Sequence, residues 1–344
     1  MGVDLGGIIE KKKIGLEELQ GKALAVDGYN ALYQFLAIIR GGVGEPLTDR
    51  AGRVTSHLSG LFYRTVNLIE RGIRVVYVFD GEPPAMKEME IMRRKKIKED
   101  ALMRYEEAVR RGAIEEARRY AQMTSKLKDE MVDDAKRLLS SMGVPWIQAP
   151  SEGEAQASYV VSKSDLWAVA SQDYDSLLFG APRLVRNLTV TGRRKLPRKN
   201  VYVEVEPELV QLRKVLVDLG LTMEQLVDLA ILLGTDYNPG GFKGIGPKTA
   251  LKLIREHGNL ERVAENLPEA RTSKELFAIR EIFLKPKVAD DYRIEWRKPD
   301  VEATVQFLCK ERDFSEERVR NALERLLRGW ETSSRATLER FFGS

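Results

Sequence analysis

Hydrophobic positions cluster early in the chain into two near-continuous runs, Ala23-Leu24-Ala25-Val26 and Ile73-Arg74-Val75-Val76-Tyr77-Val78-Phe79. Both are rich in strand-forming side chains, and each stops at an acid, Asp27 and Asp80. Between them lie a helical pattern through Tyr33, a glycine-rich break at Gly41-Gly42-Val43-Gly44, and a second helix from about Ser56 to Arg71. A third run, Leu166-Trp167-Ala168-Val169-Ala170, ends in Ser171-Gln172-Asp173-Tyr174-Asp175, and a fourth, Arg183-Leu184-Val185-Arg186-Asn187, follows. Strands separated by helical stretches imply crossovers and an α/β fold with a mainly parallel central sheet. In such a sheet, function gathers at the carboxyl ends of the strands, where Asp27, Asp80, Asp173 and Asp175 fall.

From Glu82 to about Met131 the pattern changes to dense charge around Arg93-Arg94-Lys95-Lys96 with few apolar positions, which taken alone reads as a solvated helical pair. Residues 192–199 form a basic loop beside the strand-like Val201-Tyr202-Val203. Beyond Leu209 the periodicity is helical almost to the end, and the residues after Gly329-Trp330 read as a tail. The expected organisation is residues 1–81 and 132–236 as two parts of one core, 82–131 as an inserted helical element, 237–329 as a helical region, and 330–344 as a flexible tail.

Composition narrows the chemistry. No stretch among the 344 residues approaches the roughly 18 apolar residues of a membrane span. No basic region precedes an apolar run at the start, and Gly6 stands where a myristoylation signal wants Ser or Thr, so a cytoplasmic or nucleoid-associated location is expected. The short tail argues against a nuclear, eukaryotic protein. Cys309 is alone and only His57 and His257 accompany it, which excludes a disulfide framework and a structural zinc site. A metal would have to sit on carboxylates. His57 reads as a structural or helix-capping histidine.

Ser151 and Glu154 have the spacing of a capping box, which accounts for Glu154 alone. It leaves Glu152 and the Asp173-x-Asp175 pair unexplained. With Asp236, which follows the apolar helix Leu229–Gly234, the set is seven acids: Asp27, Asp80, Glu152, Glu154, Asp173, Asp175 and Asp236. Unpaired carboxylates at one sheet edge repel one another, and hard divalent cations resolve the conflict, Mg²⁺ with Mn²⁺ able to substitute. Two ions roughly 3.5–4 Å apart are the standard arrangement for phosphodiester hydrolysis. Discounting those seven charges raises the formal net charge from +4 to +11, the footprint of a nucleic-acid binder.

Five segments carry a family resemblance: Val26-Asp27-Gly28-Tyr29-Asn30, Val78-Phe79-Asp80-Gly81-Glu82-Pro83-Pro84, Ala149-Pro150-Ser151-Glu152-Gly153-Glu154-Ala155-Gln156-Ala157, Ser171-Gln172-Asp173-Tyr174-Asp175 and Leu233-Gly234-Thr235-Asp236-Tyr237. Together they resemble the motifs of the flap endonucleases, within the XPG-type structure-specific 5′ nucleases, and the compact length is most similar to the archaeal members. The resemblance implies a PIN-like 5′-nuclease core, a helical arch over residues 82–131 and a helix-hairpin-helix DNA-binding region. It implies a two-metal enzyme that cuts 5′ flaps in Okazaki-fragment maturation and long-patch base-excision repair, acting as a monomer on branched double-stranded DNA. A sibling nuclease acting on bubbles, nicks or free 5′ ends, and a non-catalytic branched-DNA scaffold, are the alternatives.

The same resemblance assigns further residues. Lys87 and Arg94, two helical turns apart, would reach the scissile phosphate. Tyr33, by spacing alone a core aromatic, would stack on a base beside the cut. Gly241–Thr249 looks like a P-loop until Pro247 is found where its lysine should be. Lys243, Gly244, Gly246 and Lys248 instead fit a helix-hairpin-helix turn that binds a backbone phosphate and, in the family, a monovalent cation such as K⁺. A simple packing turn is the bland reading. Thr55, Arg312 and Phe314 resemble parts of a pocket for a one-nucleotide 3′ flap, with a helix cap at Ser315 as the alternative. Leu338, Phe341 and Phe342 have the spacing of a peptide that binds a PCNA-type sliding clamp, although Arg335 stands where that motif has Gln.

Overall fold

The computed structural model describes residues 2–342 apart from Val43, Thr191, 196–201 and 266–272, and only the backbone of 193–195, 202–203, 273 and 335–342. The strands are β1 (Lys12–Lys13), β2 (Ala23–Asp27), β3 (Arg74–Phe79), β4 (Trp146–Gln148), β5 (Ala168–Ala170), β6 (Arg183–Arg186), β7 (Gly192–Lys195), β8 (Tyr202–Val205) and β9 (Glu208–Gln211). Seven of them form one sheet in the order β1-β9-β6-β5-β2-β3-β4, parallel from β6 to β4, with β9 antiparallel to β6 and β1 antiparallel to β9. Strands β7 and β8 make a separate hairpin, and the tip of the basic loop at 196–201 lies outside the described residues.

Helices α1 (Gly28–Ile38), α2 (Ser56–Glu70), α3 (Glu88–Arg110), α4 (Ile114–Ala121), α5 (Asp129–Ser141), α6 (Gly153–Lys163) and α7 (Asp175–Leu178) fill the crossovers. Beyond the sheet come α8 (Leu212–Leu219), α9 (Met223–Leu233), α10 (Pro247–His257), α11 (Leu260–Ala264), α12 (Ser273–Leu284), α13 (Val301–Val305) and α14 (Glu316–Phe342). Strand side chains alternate between two cores, as a period of two requires. Ala23, Ala25, Val76 and Val78 pack with α6, α7 and α9. Leu24, Val26, Val75, Tyr77 and Phe79 pack with α1, α2, α5 and α14. Both faces are covered, so all five residues of β2 are buried and the strand reads as unbroken apolar sequence.

Two sequence expectations change. Beyond Leu209 the chain is not simply helical: β9 continues to Gln211, and 285–300 crosses the edge of the core without regular structure. There Trp296 Nε1 donates to the Val75 carbonyl at 2.9 Å and the Arg297 N–H to the Gly143 carbonyl at 2.9 Å. Gly143 has φ +69 and a Cβ there would run into the Arg297 carbonyl, so this seam requires glycine. The segment 82–131 does form the expected helical pair, α3 packed on α4, and the apolar residues that the two helices bury are small: Ala101, Ala108, Ala117 and Ala121. Helix α14 runs on past Trp330 through Ser333-Ser334 to Phe342. Among the described residues no helix is long and apolar enough to cross a membrane.

His57 lies in α2 at 0% exposure, and neither ring nitrogen has a hydrogen-bond partner, so it caps nothing. Burial first and Arg312 second lower its pKa to about 4. The folded protein therefore keeps His57 neutral, while the unfolded chain takes up a proton below about pH 6.5. Its neutral form contributes fully above that pH, and roughly 3 kcal/mol of stability is lost as the pH falls from about 6.5 to 4. As acid is added through this window the denaturant midpoint of the wild type should fall relative to that of His57→Phe; parallel pH profiles would contradict a buried neutral imidazole.

Candidate active site

The seven acids come from five separate stretches of chain, and local geometry places each. Asp27 ends β2 and caps α1: its Oδ1 accepts the Asn30 N–H at 3.0 Å and its Oδ2 the Ser171 hydroxyl at 3.3 Å. Asp80 follows β3 and accepts the Gly153 N–H at 2.6 Å, tying it to the mouth of α6. Asp173, after β5, accepts from Asn30 Nδ2 at 3.4 Å. Asp175 opens α7 and accepts the Val3 N–H at 2.8 Å. The expected capping box at Ser151 and Glu154 does not form: the Ser151 hydroxyl donates to the Glu82 carbonyl at 3.1 Å, and Glu154 accepts the Ser176 hydroxyl at 2.8 Å. Tertiary partners outcompete the local pair, and Glu154 is turned toward Asp27, Asp173 and Asp175. Asp236 sits in the turn after α9, where Asn238 accepts the Thr235 N–H and hydroxyl at 3.0 and 2.6 Å and donates to the Ile231 carbonyl at 2.7 Å. Strand β4, too short to show in the sequence, is what carries Glu152 and Glu154 to this edge.

Burial and mutual repulsion push four of these groups toward the protonated form. Asp27 lies well above the ordinary carboxylate range through burial and then Asp80; Asp80 through burial and then Glu152; Asp175 through burial and then Asp173; and Glu154 through burial and then Asp175. Counter-charge arrives from the base of the arch. Lys87 stands in a 3-10 turn just before α3 rather than within the helix. Its Nζ is 2.7 Å from Glu152 Oε2 and 3.2 Å from Asp236 Oδ2, and Arg94 Nη2 is 2.5 Å from Asp236 Oδ1. Burial opposes the Lys87 charge, yet Glu152 and Asp236 outweigh it and raise the ammonium pKa. Among the described residues no three acids, histidines or cysteines have closed on a common point as ligands would. The donor set nevertheless suits hard divalent cations: oxygen only, crowded, buried, and short of positive charge even with Lys87 present. The chain's first residues complete the wall, since a Cβ on Gly2 would run into the Asp175 carboxylate. That position agrees with what the family resemblance implies for an amino terminus at Gly2, whereas no sequence signal marks the service of Asn30, Ser171 and Ser176 to the acids.

Tyr33 is half-buried on α1, with Lys98 Nζ 4.4 Å from its ring centroid, so it is an arch-facing aromatic rather than a core one. Helices α9 and α10 flank the hairpin: Gly244 has φ +78, Gly246 precedes α10 with Pro247 in its first turn, and Lys243, Gly244, Gly246 and Lys248 are exposed. Thr55 is buried at the start of α2, and its loop meets the 311–314 turn through Arg50 N–H to Asp313 at 2.8 Å and Arg53 Nη2 to the Glu311 carbonyl at 2.5 Å. Arg312 is held there by Asp134 through Nε at 3.1 Å and Nη2 at 2.8 Å, and Phe314 is half-buried against the core. Leu338, Phe341 and Phe342 lie on the backbone of α14; their side chains fall outside the described residues.

Comparison with known proteins agrees with this layout. Residues 1–101 match the XPG N-terminal domain and residues 143–236 the XPG I-region. The chain is 60% identical over 336 residues to Flap endonuclease 1 of Ignicoccus hospitalis, covering 96% of this chain and 95% of that protein. The solved flap endonuclease-1 from Methanococcus jannaschii superposes with a TM-score of 0.75 at 46% identity, covering 95% of this chain and 98% of that one. The catalytic core of Rad2 in complex with DNA substrate gives 0.67 at 26% identity, covering 92% and 96%. With domains, full-length relatives and fold in agreement, the chain belongs to the flap endonucleases of the XPG nuclease family.

Proposed function

We propose that this chain cuts branched DNA at the base of a 5′ flap, leaving a 5′-phosphate and a 3′-hydroxyl. The observation that carries the reading is the convergence of Asp27, Asp80, Glu152, Glu154, Asp173, Asp175 and Asp236 on one sheet edge, with Lys87 and Arg94 of the arch set among them. Two Mg²⁺ ions, or Mn²⁺ in their place, held by the seven acids would supply an activated water and charge stabilisation at the phosphate. Lys87 and Arg94 hold cationic donors where the scissile phosphate must lie, so they favour the charge that grows on its non-bridging oxygens. Tyr33 offers a ring on which a base beside the cut can stack once Lys98 gives way. Lys243, Lys248 and the N–H groups near Gly244 and Gly246 hold a duplex phosphate away from the cut, with K⁺ at the same turn. Thr55, Arg312 and Phe314 line the pocket for a 3′ flap. Such an enzyme works as a monomer at the nucleoid, and Leu338, Phe341 and Phe342 are its anchors for a PCNA-type sliding clamp.

Asp80→Ala and Asp175→Ala should each abolish cleavage of a 5′-flap substrate in Mg²⁺ while leaving branched-DNA binding nearly intact, because the basic surfaces remain. Matched flap, bubble, nicked and single-stranded substrates in the same assay separate flap cleavage from the chemistry of sibling nucleases; preferential cutting of bubbles or nicks would redirect the assignment. A further consequence follows from the raised carboxyl pKa values. Ligand carboxylates must be ionised, so Mg²⁺ binding near neutral pH should release protons. Titration calorimetry in two buffers of different ionisation enthalpy reads this directly, and identical heats in both would refute it. For the tail, Phe341→Ala/Phe342→Ala should lose binding to the cognate clamp and keep clamp-free cleavage; equal clamp binding by both forms would remove the assignment.

A further inference from the structure

Helix α3 has 23 residues and buries only three of them, Glu90, Ala101 and Ala108. The two alanines form the seam with α4, but Glu90 is a carboxylate at 2% exposure on a helix that otherwise faces solvent. Its Oε2 accepts Arg93 Nε at 2.6 Å, and its Oε1 accepts Arg93 Nη2 at 2.7 Å and Arg94 Nε at 2.7 Å. Arg94 is thus gripped on its Nε edge, while Nη2 reaches Asp236 Oδ1 at 2.5 Å. A guanidinium is a rigid planar fork, so fixing one edge aims the other.

We infer that Glu90 is the positioning residue that aims Arg94 at the scissile phosphate. The inference rests on the role proposed above for Arg94. Asp236 belongs to the acid set and is a weaker partner for Arg94 whenever a cation engages it. Glu90 stands outside that set and keeps its hold throughout. The competing role is purely structural. A glutamate in the first turn of a helix complements the helix dipole, and its i+3 and i+4 arginines make ordinary surface pairs. That role would show in the order of the arch and leave the cleavage step alone.

The test compares the full-length wild type with Glu90→Ala, Glu90→Gln, Arg94→Ala and the Glu90→Ala/Arg94→Ala double variant. Single-turnover cleavage of a 5′-flap substrate at saturating enzyme is measured in Mg²⁺, with flap-DNA affinity in EDTA and limited trypsin digestion of the arch alongside. Glu90→Ala should slow the single-turnover step by up to about 10²-fold with affinity and arch digestion unchanged, the scale of a misplaced contact. The double variant should be no slower than Arg94→Ala, and Glu90→Gln, which keeps an acceptor oxygen, should recover part of the rate. A wild-type rate for Glu90→Ala, losses that multiply in the double variant, or slow cleavage accompanied by a protease-sensitive arch in both Glu90 variants would overturn the inference while leaving Arg94 in place. Unimpaired cleavage by Arg94→Ala would instead overturn the reading of Arg94, and this inference with it.

Discussion

Repulsion among carboxylates crowded at the carboxyl ends of parallel strands is the constraint that organises this molecule. The sheet creates the crowding, because β2, β3 and β5 all deliver acids to one edge and β4 leads the chain there at Glu152 and Glu154. Burial sharpens it, as the upward shifts of Asp27, Asp80, Glu154 and Asp175 record. Each acid is tolerated because something orients it: a backbone N–H for Asp27, Asp80 and Asp175, a hydroxyl or amide for Glu154 and Asp173. The remaining imbalance is met from outside the core, by Lys87 and Arg94.

The arch is joined to the body largely by polar contacts. Away from the acids, Arg118 donates to the Gly42 carbonyl and Arg40 Nη2 to the Ser125 hydroxyl at 2.8 Å, while α3 and α4 bury little apolar surface. Its base is held by charge, through Lys87 on Glu152 and Asp236 and Arg94 on Asp236. A segment anchored in this way responds to whatever competes for those carboxylates, since ion-pair partners can be exchanged where interlocked apolar side chains cannot. In the function proposed above, divalent cations and a DNA phosphate would bring such competition to the same few atoms.

Much of this was legible from residue patterns because parallel strands buried on both faces must be continuously apolar, and each stops where an acid begins. What escaped the sequence did so for identifiable reasons. Strand β4 is three residues long, too short for any periodicity. The crossing at 285–300 has enough apolar side chains to pass for helix, yet its backbone is committed to the core edge through Trp296 and Arg297. The Ser151 and Glu154 pair has the correct local spacing, but partners at Glu82 and Ser176, remote in sequence, take both side chains. The spacing of Lys87 and Arg94 put them on one face, and they do share Asp236, although only Arg94 is within the helix. Glu90 is invisible in a segment already dense with acids and bases; only its burial separates it from its neighbours.

The contact between Val3 and Asp175 carries a consequence for how the molecule comes into being. The acid cluster draws on residues from the first turns of the chain to Asp236, and the counter-charges of Lys87 and Arg94 find Asp236 only after α9 has been made. A polypeptide emerging from the ribosome holds Asp27 and Asp80 long before it holds the acids that crowd them. During roughly two-thirds of synthesis the acid set is incomplete, because Asp236 has yet to be made. The geometry of this edge is therefore a property of the nearly finished chain.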